Sequence, residues 1–147
     1  MYKTILVPLD GSKRAERILA HVEGVAQSNE ANVIFLQVIE PTHYYIGAHG
    51  TVSGLELHNH QEKEVKEYLS SLRGEFQEKG IKARFVIEWG PVVKKIIDVA
   101  EREDVDLVAM ASHGRTGLSH VFYGSVAAGV LHRIDRPLLL VRAEGGS

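Results

Sequence analysis

The sequence predicts a doubly wound α/β domain on a five-stranded parallel sheet, and three observations predict it. Short β-rich apolar runs recur five times along the 147 residues, at Thr4–Leu9, Asn32–Ile39, Ala83–Glu88, Asp106–Ala111 and Pro137–Arg142. Between them lie four segments whose apolar residues recur at helical spacing. Patterns that alternate in this way build βαβ units, with helices on both faces of a parallel sheet. Finally, polar clusters with Gly or Ser follow the carboxyl ends of the first and fourth runs, where ligands sit in open α/β sheets.

Each element has its own signal. Thr4–Leu9 reads as a buried strand that empties into Asp10-Gly11-Ser12. Ser12 can cap the helix that follows, whose stripe is Ala15, Ile18, Leu19, Val22 and Ala26. Asn32–Ile39 is the second strand. Residues 41–60 then break the rhythm: they hold three Gly, two Tyr and four of the eight His, with no clear period before Leu55. The stretch is too long for a minimal connection and is expected to form a flap beside the crevice. A long helical pattern follows through Val65, Tyr68, Leu69, Leu72 and Phe76, then the third strand. Gly90-Pro91 opens the next helix with Pro at its first position, and Val93, Ile96, Ile97 and Ala100 form the stripe. A short helix from Ser125 to His132 precedes the last strand.

The richest loop runs from Met110 to Ser125, Met-Ala-Ser-His-Gly-Arg-Thr-Gly-Leu-Ser-His-Val-Phe-Tyr-Gly-Ser. A strand that leads through glycines to a helix start offers outward N–H groups and a partly positive helix end to an anion. The spacing is neither a Walker A nor a dinucleotide Gly-x-Gly-x-x-Gly. If the first and fourth strands are neighbours, Asp10 and the Gly114 loop line one crevice. Plainer readings stand beside this one. Asp10-Gly11-Ser12 can be only a turn and helix start, Gly114 and Gly117 loop punctuation, Ser125 a simple N-cap, and Arg115 a solvated charge.

Other chemistry is poorly supported. His43, His49, His58 and His60 do not match a His-Glu-x-x-His helix and have no Cys beside them, so no metal site is expected. Ser112-His113 and Ser119-His120 are adjacent pairs without an orienting third group, so no catalytic residue is assigned. A formal net charge of −2 offers nothing to nucleic acid, and zero Cys excludes thiolate chemistry. No apolar stretch approaches the roughly 20 residues of a membrane span, and the start lacks a signal-peptide h-region; a cytoplasmic protein is expected.

These residues resemble the universal stress protein family along nearly the whole chain. Ile5-Leu6-Val7-Pro8-Leu9-Asp10-Gly11-Ser12 is similar to its first strand and turn. Trp89-Gly90-Pro91 through Ala100 and Asp106–Met110 resemble its middle, and Gly124-Ser125-Val126 with Arg136–Val141 its end. Nucleotide-binding members carry Gly-x-x-Gly, nine residues, then Gly-Ser/Thr; Gly114, nine residues and Gly124-Ser125 fit, with Ala111 in place of the first glycine.

The resemblance implies ATP in the crevice, with Mg2+ bridging phosphate oxygens. Asp10 would accept from an adenine amino group or ribose hydroxyl. Pro8, Val38 and Met110 would form an apolar slot for the base, with Leu9 beside them. Gly114 would admit the phosphates, Arg115 would add a charge-assisted contact, and Gly124, Ser125, Val126 and Ala127 would offer N–H groups. Ala111 costs roughly 1–2 kcal/mol if its position needs φ > 0, and otherwise adds one methyl beside the ribose. A second departure is Gln37, where many relatives carry His.

The expected whole is one domain over 1–147, flavodoxin/Rossmann-like with strand order 3-2-1-4-5. The apolar edge strand Leu138–Arg142 would pair with its copy in a homodimer. Its expected role is an ATP-binding stress-response or signalling module that senses nucleotide by occupancy or very slow hydrolysis. No general base for water is apparent, so fast ATPase activity is not expected. The alternatives are a dimeric interaction module with a vestigial pocket and, further off, an adenine-nucleotide α-hydrolase. AMP, ADP or a cyclic nucleotide in place of ATP stays open.

Overall fold

The computed structural model describes residues 1–41, 54–112 and 124–143. The elements run β1 (Thr4–Leu9), α1 (Leu19–Asn29), β2 (Asn32–Ile39), α2 (Gly54–Glu78), β3 (Ala83–Trp89), α3 (Val92–Arg102), β4 (Leu107–Ala111), α4 (Ser125–Arg133) and β5 (Leu138–Val141). All strand pairs are parallel, in the order β3-β2-β1-β4-β5. That order is the Rossmann one, which separates it from the flavodoxin order 2-1-3-4-5.

The topology explains the two helical layers. The chain moves outward from β1 to β2 to β3, then returns across β1 to β4 and β5. Right-handed crossovers taken in opposite directions put their helices on opposite faces. Accordingly α1 and α2 cover one face, where Ile18, Val22, Leu69, Leu72 and Phe76 pack on Ile5, Val7, Val33 and Phe35. The Phe35 and Phe76 rings meet edge to face, 5.0 Å apart. On the other face α3 and α4 bring Ile96, Val99, Ala127 and Val130 onto Leu6, Ile34, Leu36 and Val108. Both faces of the central strands are dry, which is why those strands read as continuous apolar runs.

Several boundaries differ from the sequence reading. β3 gains Trp89, which pairs in register with Ile39. β4 starts at Leu107; ahead of it the Asp106 carboxylate accepts the Lys3 and Thr4 N–H groups at 2.7 and 2.8 Å, and the Asp106 N–H donates to the Thr4 carbonyl at 2.9 Å. β5 is shorter than Pro137–Arg142 at both ends, and α4 runs one residue past His132. The Ser12 hydroxyl accepts the Ala15 N–H at 3.1 Å, but Ser12 is not the cap of a helix: a 3-10 turn at Ala15–Ile18 follows Arg14, and α1 starts only at Leu19, after Ile18. Pro91 is the cap residue of α3, with an extended ψ of 132°, and Val92 is the first helical residue. Residues 54–60 of the expected flap are the opening turns of α2; the rest, 42–53 with His43 and His49, lies outside the described residues. Among the described residues, no helix is long and apolar enough to cross a membrane.

Candidate functional site

The sheet opens at its switch point. β1 and β4 are neighbours, paired at Ile5↔Leu107 and Leu6↔Val108, and their ladder ends there. β1 nevertheless stays paired with β2 as far as Leu9↔Gln37, and β4 with β5 as far as Ala111↔Val141. Pro8 gives the reason. Thr4 accepts from Asp106 of the β4 side, whereas Lys3 accepts from Asn32 of the β2 side, so even-numbered peptide groups of β1 face β4. Pro8 continues that parity and has no N–H to give. The ladder between the central strands therefore stops short of their carboxyl ends, the end of the sheet where an open α/β fold takes its ligand.

On the β1 side of this crevice stands the exposed Asp10. Its Oδ1 accepts the Ser12 N–H at 2.9 Å, an Asx turn made possible by Gly11 at φ 87°. The turn and the ligand readings of Asp10 are thus compatible, since a carboxylate has a second oxygen. Pro8, Val38 and Met110 share one face by strand alternation, the face of α3 and α4. Val38 is half-buried there, while Met110 is buried within that layer. Leu9 points the opposite way into the α1/α2 core, so only its main chain can reach the crevice. Ala111 has the same parity as Leu9, and the described non-glycine residues with positive φ are Glu30 and Asp104 alone. Ala111 therefore carries no backbone strain; its departure from glycine amounts to a single methyl.

Across the crevice, α4 begins. Its cap residue is Gly124, at φ 87° and ψ 146°, without a side-chain capping bond. Ser125 is the first helical residue and is exposed, which corrects its reading as an N-cap. The first intrahelical bond is Ala128 N–H to the Gly124 carbonyl, 3.1 Å. The N–H groups of Ser125, Val126 and Ala127 precede it and have no acceptor within the helix. α4 is seated tightly, since a Cβ on Gly129 would come within 2.7 Å of Val93 Cγ2 on α3. Gly114, Arg115, Gly117, His113, Ser119 and His120 lie outside the described residues. Ser112 is buried, and its N–H donates to the Val141 carbonyl at 2.7 Å.

Two contacts near this end of the sheet escaped the sequence reading. Tyr68 of α2 donates its hydroxyl to Glu16 Oε2 at 2.5 Å. Burial first, then the charges of Glu16, Asp10 and Glu75, holds its ionisation well above the ordinary tyrosine range. At the end of β3, the His58 ring stacks on Trp89 with centroids 4.0 Å apart, and Trp89 Nε1–H donates to Glu62 Oε1 at 2.8 Å. The i,i+4 spacing of His58 and Glu62 was visible in the sequence; its meeting with Trp89 was not. No group of three His, Cys, Asp or Glu side chains among the described residues is placed to hold a metal.

The order of strands and the position of the opening make this a Rossmann-like α/β protein. More narrowly, the chain belongs to the Universal stress protein family, whose profile matches residues 1–142. It is 32% identical over 157 aligned residues to universal stress protein MJ0577 of Methanocaldococcus jannaschii, covering 98% of this chain and 97% of that one. The solved MJ0577 structure superposes with a TM-score of 0.86 at 33% identity over 99% of both chains. Synechocystis universal stress protein Sll1388 is 29% identical over 96% of this chain and 98% of its own. Two solved relatives, each 20% identical with TM-score 0.69, share the fold. One, in complex with cAMP, covers 97% of this chain and 98% of its own; the other, from Archaeoglobus fulgidus in complex with dAMP, covers 95% and 98%. Adenine nucleotides are thus ligands of family members.

Proposed function

We propose that this protein binds an adenine nucleotide, ATP with Mg2+, in the crevice between β1 and β4, and acts as a stress-response module that reports nucleotide occupancy. The observation that carries the reading is the opening itself, with an exposed carboxylate turn on one side and a glycine-capped helix start on the other. Asp10 accepts from the nucleoside, and Pro8, Val38 and Met110 provide the apolar surface for the base. The N–H groups of Gly124, Ser125, Val126 and Ala127 meet the phosphates, joined by Gly114 and Arg115. Magnesium is held by phosphate oxygens rather than by protein ligands. The cAMP and dAMP complexes of distant relatives support the base-binding half. The reading is supported further by Ala111, which lies in β4 outside the positive-φ residues and so differs from glycine there by one methyl.

The protein pairs with its copy through β5, whose four residues are half-buried at a sheet edge. The first test is to purify the protein without added nucleotide, denature it, and identify what is released by chromatography with mass detection. Stoichiometric ATP or ADP is expected. An empty protein that also fails to bind ATP with magnesium in a titration would overturn the reading in favour of a dimeric interaction module with a vestigial pocket.

A further inference from the structure

We propose that Tyr68 is a positioning residue for the nucleotide crevice: from α2 it holds, through Glu16, the turn that presents Asp10. The inference rests on the adenine-nucleotide reading of that crevice and extends it to a residue that does not line it. A chain of hydrogen bonds makes the connection. Asp10 Oδ1 accepts the Ser12 N–H at 2.9 Å. The Ser12 hydroxyl accepts the Ala15 N–H at 3.1 Å, and the Ser12 carbonyl accepts the Glu16 N–H at 3.3 Å. Glu16 Oε2 then accepts the Tyr68 hydroxyl at 2.5 Å.

The two ends of this chain differ in firmness. Tyr68 packs against the α1/α2 core on a helix anchored by the buried Leu69, Leu72 and Phe76. Asp10 and Gly11 are exposed, and Gly11 at φ 87° adds no side chain to steady the turn. A bond from the fixed helix to Glu16 therefore limits where the turn can hold its carboxylate. The phenol suits the task because burial first, and then its bond to Glu16 and the nearby acidic charges, keep its proton in place, so it remains a donor. Removing only the hydroxyl leaves the ring in the core, which separates the tether from packing.

A double-mutant cycle tests this on the full chain. Wild type, Tyr68→Phe, Asp10→Ala and the double variant are titrated with ATP and magnesium by calorimetry, with thermal melts in parallel. Tyr68→Phe should weaken binding about fivefold, the net scale of one ordinary hydrogen bond because the tether acts at a distance from the ligand, yet less than about twofold when Asp10 is already Ala. Glu16→Gln, which keeps an acceptor, should bind more tightly than Glu16→Ala, and Glu16→Ala should match Tyr68→Phe. Equal losses in both Asp10 backgrounds, or a lowered melting temperature with unchanged affinity, would overturn the positioning role while leaving the crevice. A wild-type protein that binds no adenine nucleotide would instead overturn the nucleotide reading, and this role with it.

Discussion

Gly124 sits at φ 87° and ψ 146°, a backbone state that only glycine adopts without strain, at the point where α4 begins. Gly124→Ala should cost about 1–3 kcal/mol of stability and move the N–H groups of the first turn, lowering nucleotide affinity with it. Paired thermal melts and titrations check both effects; an unchanged affinity in the folded variant would remove α4 from the site. Tyr68 makes a prediction in pH. Its proton is held more tightly in the folded chain than in the unfolded one, where a tyrosine ionises near 10.0. The stability from that difference is complete below pH 10 and is lost as pH rises beyond it. Melts from about pH 8 to about pH 11 should therefore show a steeper alkaline decline for wild type than for Tyr68→Phe. Parallel slopes would mean that the phenol gains nothing from its buried, acidic setting.

At the scale of elements, three helical glycines separate propensity from packing. Gly24 in α1 and Gly74 in α2 have nothing within 4 Å of an added Cβ. Gly24→Ala and Gly74→Ala should each stabilise by roughly 0.5–1 kcal/mol, because alanine loses less conformational entropy in a helix. Gly129 in α4 is the opposite case, with Val93 Cγ2 at 2.7 Å and a β-branched side chain that resists rotation. Gly129→Ala should destabilise by about 1 kcal/mol net, overpacking outweighing the propensity gain. Denaturant melts of the three variants decide the matter. The extents of the elements were largely legible in the sequence, within one or two residues for the strands. The errors fell at element ends, where the Asp106 carboxylate accepts from Lys3 and Thr4 and where Pro91 and Gly124 are caps.

At the scale of the molecule, β3 and β5 are the edge strands of the sheet formed by the described residues. β3 is flanked by charge, since Arg84 pairs with Glu103, and Glu88 pairs with Arg102. β5, Leu138–Val141, is apolar throughout. Pro137 and Val141 accept bonds from Val108 and Ser112, so odd-numbered carbonyls of β5 face β4 and the peptide group of Leu140 faces outward. Proline is tolerated in an edge strand where its missing N–H would point to solvent. Leu140→Pro should therefore spare the β4 ladder, block pairing with a second copy, and cost about 2 kcal/mol in lost packing. Sedimentation should then show a monomer that circular dichroism reports as folded; a dimer that survives would exclude pairing through β5. Leu139→Arg tests the same edge less cleanly, because Leu139 also packs against the α1/α2 core.

The sequence by itself determined the alternation of elements, the Rossmann-like order through its family likeness, and the residues at the strand ends. Asp10, Gly11 and Gly124 were legible because turn and cap chemistry acts within a few residues of chain. Tertiary structure alone decided that Leu9 turns away from Pro8, Val38 and Met110, and that Ala111 costs no backbone strain. It also decided that the β1–β4 ladder stops at Leu6, and that Tyr68 reaches Glu16 across 52 residues of sequence. The physical reason is common to these cases. In a parallel sheet buried on both faces, the central strands are apolar at nearly every position, so alternation cannot tell one helical layer from the other. Only the strand order and the helices packed on each side assign the faces.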